Sequence, residues 1–255
     1  MRRHYQNPPI VEALVEVFFT GSKQGLAVRD AFLPRVQERF PTGRLLGQMG
    51  FEVNVRPGQA DARLSQAEPR FQFLTSDESQ MIQLGPDLLV FNLLRPNSQV
   101  PYPRFEVWKP IVLEMLAHYR EIAQPAGVDR LGVRYINKVV VPQTQMRMED
   151  YFTLYPQVPD TLGAQHGPFL MNLELPGLYP EHQLLVTFGS TPPDQSDTMA
   201  YLLDLYDIVP MGSPDSFELI PQRLDEAHNN IVTTFEYAIT DTTRQLFGEA
   251  QDASS

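Results

Sequence analysis

Residues 130–141, RLGVRYINKVVV, alternate without a break. Leu131, Val133, Tyr135, Asn137, Val139 and Val141 fall on one side, and Gly132, Arg134, Ile136, Lys138 and Val140 on the other. A period of two over this length is a β-strand with one apolar and one partly polar face. Residues 10–19, IVEALVEVFF, follow the same rule: Val11, Ala13, Val15, Val17 and Phe19 oppose Glu12, Leu14, Glu16 and Phe18. Each of these strands opens a run of similar order, which reads strand, helix, several strands, helix.

In the first run Gly21 and Gly25 mark a turn. Leu26, Leu33, Val36 and Phe40 then recur at helical spacing up to Pro41, with Pro34 expected to divide the helix into two pieces. Gly47–Gly50 reads as a strand-entry turn. Phe51, Val53 and Val55 alternate as a strand, and residues 57–69 read as a polar loop. Phe71 and Phe73 pair with Met81–Leu84 around a Thr75–Ser79 hairpin turn, and residues 88–94 form the next strand. Trp108, Ile111, Val112, Met115, Leu116 and Tyr119 repeat at three- and four-residue steps, Pro110 suits a first turn, and Pro125 and Gly127 end the helix. In the second run a short helix is expected at 148–152. Strands follow at 169–175, 183–190 and 199–208, and one long helix runs from 216 to about 247, capped by Asp215 or Ser216.

The expected class is α+β: two pseudo-repeated halves, residues 1–125 and 126–248, each a strand, a helix, an antiparallel meander and a helix. Their sheets are covered by helices on one face, and residues 249–255 form a disordered tail. The halves are expected to make one integrated unit, fused by pairing of their opening strands. TATA-binding-protein-like and helix-grip folds are similar in element order, a likeness that carries no function.

Composition narrows the classes. Of 255 residues, 42% are hydrophobic and 20% charged, enough for a packed core. There is no cysteine, which removes disulfides, thiolate metal sites and cysteine nucleophiles and fits a reducing cytoplasm. Glu12 and Glu16 interrupt the first apolar run, so it is not a signal peptide, and no apolar stretch is long enough to cross a membrane. The net charge of −11 argues against nucleic acid and anionic membranes as partners.

No phosphate-binding, nucleophile-elbow or metal-ligand spacing occurs, so neither catalytic residues, a metal set nor a cofactor is expected. Asp225-Glu226-Ala227-His228 spells a helicase box without its phosphate loop and is a chance match. His118 and His228 lie at helix positions read as surface, and Asp204 and Asp207 face opposite sides of their strand. The candidates for ligand binding are Glu12 and Glu16 on the first strand, facing Arg134 and Lys138 on its counterpart. To these are added Arg95, which with Arg104 brackets a turn able to hold an anion, and Asn137, a polar residue on an apolar face. The competing reading is structural: cross-strand ion pairs and a satisfied core asparagine.

Four segments carry a resemblance. They are Asn7–Ala13 (NPPIVEA), Gln83–Leu89 (QLGPDLL) with Arg95-Pro96, Arg130–Val139 (RLGVRYINKV), and Ile239–Asp241 with Arg244–Gly248. Together they resemble a sporadically distributed family of prokaryotic proteins over nearly the whole chain. The resemblance implies one evolutionary unit and a defence or mobile-element context, and supplies no reaction, cofactor or catalytic residue. The expected function is a non-enzymatic binding or interaction protein, acting with a protein partner or by self-association. The alternative is an enzyme or small-ligand binder using a polar groove between the halves.

Overall fold

The computed structural model describes residues 3–56, 59–95, 102–159, 161, 167–212 and 216–248, with residues 46–69 described by backbone alone. The expected tail, His166, Pro96 and the alternative cap Asp215 lie outside the described residues. The elements in chain order are β1 (Ile10–Thr20), α1 (Leu26–Val36), β2 (Thr42–Arg56), β3 (Gln59–Leu74), β4 (Gln80–Gly85), β5 (Leu88–Leu94), α2 (Phe105–Ala123), β6 (Gly127–Val141), α3 (Met148–Tyr151), β7 (Leu170–Pro176), β8 (Gln183–Thr191), β9 (Met199–Pro210), α4 (Ser216–Ala238) and α5 (Asp241–Phe247). The nine strands form one antiparallel sheet in the order β2-β3-β4-β5-β1-β6-β9-β8-β7. The chain is therefore α+β, with β1 and β6 adjacent at the middle of the sheet, Val15 opposite Val133 and Glu16 opposite Gly132.

One face of the sheet carries the core. Cross-strand partners line up as Phe73, Ile82, Phe91, Val15 and Val133, all nearly or fully excluded from solvent. Helix α4 lies on β6 and β9, α2 touches β5, and α1 packs on α2. Trp108 and Tyr119 of α2 are among the largest fully buried side chains, each contributing ~2 kcal/mol or more by removal of apolar surface from water. Phe91 stacks on Trp108 at 6.2 Å and Phe19 on Tyr119 at 4.5 Å, tying α2 to β5 and β1.

Four local expectations are corrected. Helix α1 continues through Pro34 to Val36, because Val28, Phe32 and Val36 anchor one buried face and outweigh the single hydrogen bond that the missing N–H removes near the helix end. Gly47–Gly50 lies inside β2, where the register shifts between Leu46 and Gln48. A bulge thus takes up the glycines without ending the strand. Residues 59–69 are strand rather than loop: Gln59 pairs with Arg56 and the ladder runs on to Leu74, so cross-strand pairing overrides polar composition. The long C-terminal helix is two helices. Ile239 makes a β-bridge to Phe152, Thr240 N–H donates to Tyr151 O at 3.0 Å, and the Thr240 hydroxyl caps α5. Ser216 opens α4, but its hydroxyl accepts Val128 N–H from β6 at 3.2 Å.

On the second face of the seam, Tyr206 leans across Gly132 and its hydroxyl donates to Glu16. A Cβ at residue 132 would stand 2.6 Å from Tyr206 Cε2 and 3.1 Å from Glu16 Cγ. Glycine is required there by the ring's close approach, not by backbone angle. Gly132→Val should destabilise the fold by ~1–3 kcal/mol in urea denaturation, with Gly132→Ala costing less. A valine variant as stable as the wild type would show that the ring does not occupy this position.

Candidate functional site

The proposed groove residues lie on the second face, but their charges are paired differently from expectation. Arg134 sits opposite Leu14, between Glu12 and Glu16, yet its guanidinium forks onto Asp204 of β9 with distances of 2.8 and 2.5 Å. The Asp204 hydrogen bonds raise the pKa of Arg134 against the opposing effect of burial, and the charges of Asp204, Glu12 and Glu16 add to it. Lys138 reaches Asp194 at 2.6 Å. Glu12 accepts from Asn92 Nδ2 at 2.7 Å, and Glu16 accepts from Tyr206, whose hydroxyl is pushed up by burial and by that hydrogen bond.

These contacts belong to a longer row with one polar side chain from every strand. Arg44 Nε donates to Gln72 Oε1 (2.7 Å), Gln72 Nε2 to Gln83 Oε1 (3.3 Å) and Gln83 Nε2 to Asn92 Oδ1 (2.8 Å). Asn92 bonds Glu12, and beyond the seam Arg134 of β6 bonds Asp204 of β9. Asp204 is register partner to Thr187, which donates to Asn172 Oδ1 at 2.8 Å. Gln72, Gln83 and Asn92 are buried. From Arg44 to Glu12 the row's members bond one another, and Arg134 is held by Asp204, so over the middle strands it locks register more than it offers a site.

A cavity of about 180 Å³ opens on the helix-covered side of the seam. The chain from Arg3 to Ile10, the start of α2, β6 and the second half of α4 line it. Its interior is Pro9, Phe105, Tyr135, Asn137, His228, Ile231 and Phe235, all buried; the exposed Arg3, Arg104 and Glu106 mark its mouth. His228, expected at the surface, is 6% exposed. It lies flat on Phe105 (centroids 3.9 Å apart, planes 3° apart), and its Nδ1 is 2.7 Å from the Tyr135 hydroxyl. His118 is half-buried, 3.9 Å from Glu114. Asn137 faces a bulge in β1, where the register slips between Ile10 and Glu12. Asn137 Nδ2 donates to Leu203 O (3.0 Å) and Tyr135 O (3.4 Å), and its amide oxygen accepts no hydrogen bond among the described residues.

The segment before β1 is strapped over this cavity. Gln6 and Asn7 N–H donate to Gly248 and Phe247 carbonyls at 2.9 Å, Tyr5 meets the Phe247 ring edge-on at 5.4 Å, and Lys138 N–H donates to Pro9 O at 2.9 Å. Arg95, read as an anion holder, donates instead to Pro8 O and so secures the strap. Glu236 is engaged by Tyr5 at 2.6 Å and Arg244 at 2.9 Å. Arg104 makes no ion pair among the described residues. Comparison with protein-family models and with curated proteins gave no match. Among the described residues no group of His, Asp and Glu is arranged to hold a metal ion, and no helix is long and apolar enough to cross a membrane.

A second titratable cluster escaped the sequence reading. Asp207 and His182 have no exposed side-chain surface and meet at 2.6 Å, Oδ1 to Nδ1. Asn230 of α4 donates to the other Asp207 oxygen and accepts Leu178 N–H at 3.1 Å. His182 Nε2 faces Glu226 at 3.3 Å, which in turn meets Arg223 at 3.0 Å. Face alternation separates Asp207 from Asp204 on β9; nothing in the sequence marks His182, in the β7–β8 turn, as its partner. The cluster pins that turn to β9 and α4. Burial pushes the Glu226 carboxyl up, but hydrogen bonds from Gln222, Arg223 and His182, with the Arg223 charge, outweigh it and hold the carboxyl below its ordinary value. A depressed carboxyl stabilises above its unfolded value, and that stability is lost as pH falls through the folded value. Glu226→Gln should therefore cost on the order of 1 kcal/mol at neutral pH, with variant and wild-type curves converging as pH falls below the ordinary carboxylate range in pH-dependent urea unfolding. A gap that stays constant down to acid pH would refute the carboxylate's role.

Proposed function

We propose that the chain is a binding protein whose seam pocket takes a small single-ring organic acid. The observation that carries this is the cavity itself. At about 180 Å³ it is close to the roughly 150 Å³ that accommodates benzene. Its interior is aromatic and aliphatic, with a few convergent polar groups, the usual make-up of a small-ligand site. Phe105, Tyr135 and Phe235 offer ring surfaces and the Asn137 amide oxygen an acceptor for a ring hydroxyl. The exposed Arg104 at the mouth supplies an uncommitted cation for a carboxylate.

The polar groove is the weaker site, because Glu12, Arg134 and Lys138 are engaged by Asn92, Asp204 and Asp194. Five residues from the motifs that resemble the sporadic prokaryotic family, Pro8, Pro9, Ile10, Tyr135 and Asn137, line the pocket, which supports the site. The pocket draws on residues from both runs of the chain. With β1 and β6 at the centre, this supports reading the chain as two duplicated halves joined at their first strands.

Isothermal titration with 4-hydroxybenzoate, benzoate and benzyl alcohol tests the proposal. The two acids should bind and the neutral alcohol should bind more weakly. Arg104→Ala should weaken acid binding about tenfold without affecting thermal stability. Val232 of α4 also lines the cavity, and Val232→Trp, which fills it, should abolish binding. No binding by any ring compound, or binding indifferent to both the charge and Arg104, would overturn the assignment.

A further inference from the structure

We infer that β7 is a self-association edge, across which a second copy of this chain continues the sheet. This does not depend on the pocket. Among the described residues β7 lies at one end of the strand order and pairs only with β8, so the outward main-chain donors and acceptors of residues 170–176 have no described strand beside them. Natural edges are protected by lysines, prolines or bulges. Residues 170–176, LMNLELP, have no basic residue, no proline before the last position and no register shift against β8. Leu170 is 71% exposed and Leu175 38%.

The occupant follows from the residue pattern. Met171 and Leu173 lie on the core face, opposite the buried Phe188 and Val186 of β8, and are themselves only partly buried, so the hydrophobic layer runs out to the edge of the sheet. Antiparallel pairing of two β7 strands about a two-fold axis at Leu173 sets Met171 against the partner's Leu175 and Leu173 against the partner's Leu173. The core layer then continues into the second copy. On the other face Asn172 meets the partner's Glu174, a neutral donor against a carboxylate, and Leu170 meets the partner's Pro176. A centre at Glu174 would set two carboxylates opposite each other, and a centre between residues would put apolar side chains against polar ones on both faces. The register about Leu173 uses the whole strand and avoids both conflicts. A two-fold axis also closes the assembly at two copies.

Sedimentation velocity, with light scattering after size exclusion, tests this. The wild type at tens of micromolar should run at twice the monomer mass of 29.0 kDa. Asn172→Asp puts like charges opposite each other twice per dimer and should weaken association several-fold. Adding Glu174→Lys should restore it, since each new aspartate then faces a lysine. Leu173→Lys, which sets two ammonium groups on the axis, should give monomer, with circular dichroism confirming the fold. A wild type that stays monomeric throughout would overturn the inference. So would a dimer indifferent to the Asn172 and Glu174 variants, which would place the interface elsewhere.

Discussion

Everything in this fold depends on β1 pairing with β6. The two strands are more than a hundred residues apart in sequence, and among the described residues no other strand pairing joins β2–β5 to β7–β9. Their pairing makes two partial sheets into one and sets Val15 against Val133 at the middle of the core row. It also brings the start of α2 and the second half of α4 around one cavity. The closure entropy of so long a loop is offset only if many side chains are buried together. The single core cluster running from Phe32 and Phe40 through Trp108 to Phe188 and Phe235 meets that condition.

What the sequence showed of the fold follows where one physical signal dominated. Strict alternation at 10–19 and 130–141 fixed both seam strands and their buried faces, because solvent on one side and core on the other leave one register. The stripe from Trp108 to Tyr119 fixed α2 for the same reason. The errors came where local propensity met a tertiary partner. Residues 59–69 are polar, yet they are strand because β2 lies beside them. Ile239 and Thr240 fit a helical stripe, but Phe152 and Tyr151 hold their backbone out of it.

The site was less legible, because its residues look like ordinary core. Tyr135, Phe105, Ile231 and Phe235 fit apolar stripes, and nothing in a stripe distinguishes a side chain facing a cavity from one facing another side chain. Asn137 was the exception: an amide on an apolar face had to be satisfied or used, and here its Nδ2 is satisfied while its oxygen remains available. Arg134 shows the opposite limit. Alternation set it against Glu12 and Glu16, and geometry chose Asp204, because two aligned N–H groups on one carboxylate outweigh single contacts with Glu12 or Glu16.

The row of polar side chains across the sheet shows why charge is spent where it is. Where the second face is buried, on β3 to β5, the row consists of the amides Gln72, Gln83 and Asn92, which bond one another without carrying charge into the interior. Where it meets solvent, on β6, the ionic pair appears, with the Arg134 side chain 40% exposed and Asp204 14%. A charge in the amide stretch would face a desolvation cost that its neighbours could not repay. An amide in place of Arg134 would forgo the fork that holds β6 to β9. Because its amides bond one another and Arg134 is held by Asp204, the second face of the middle strands is committed to the fold, which leaves the proposed recognition to the pocket on the opposite face and to the edge of β7.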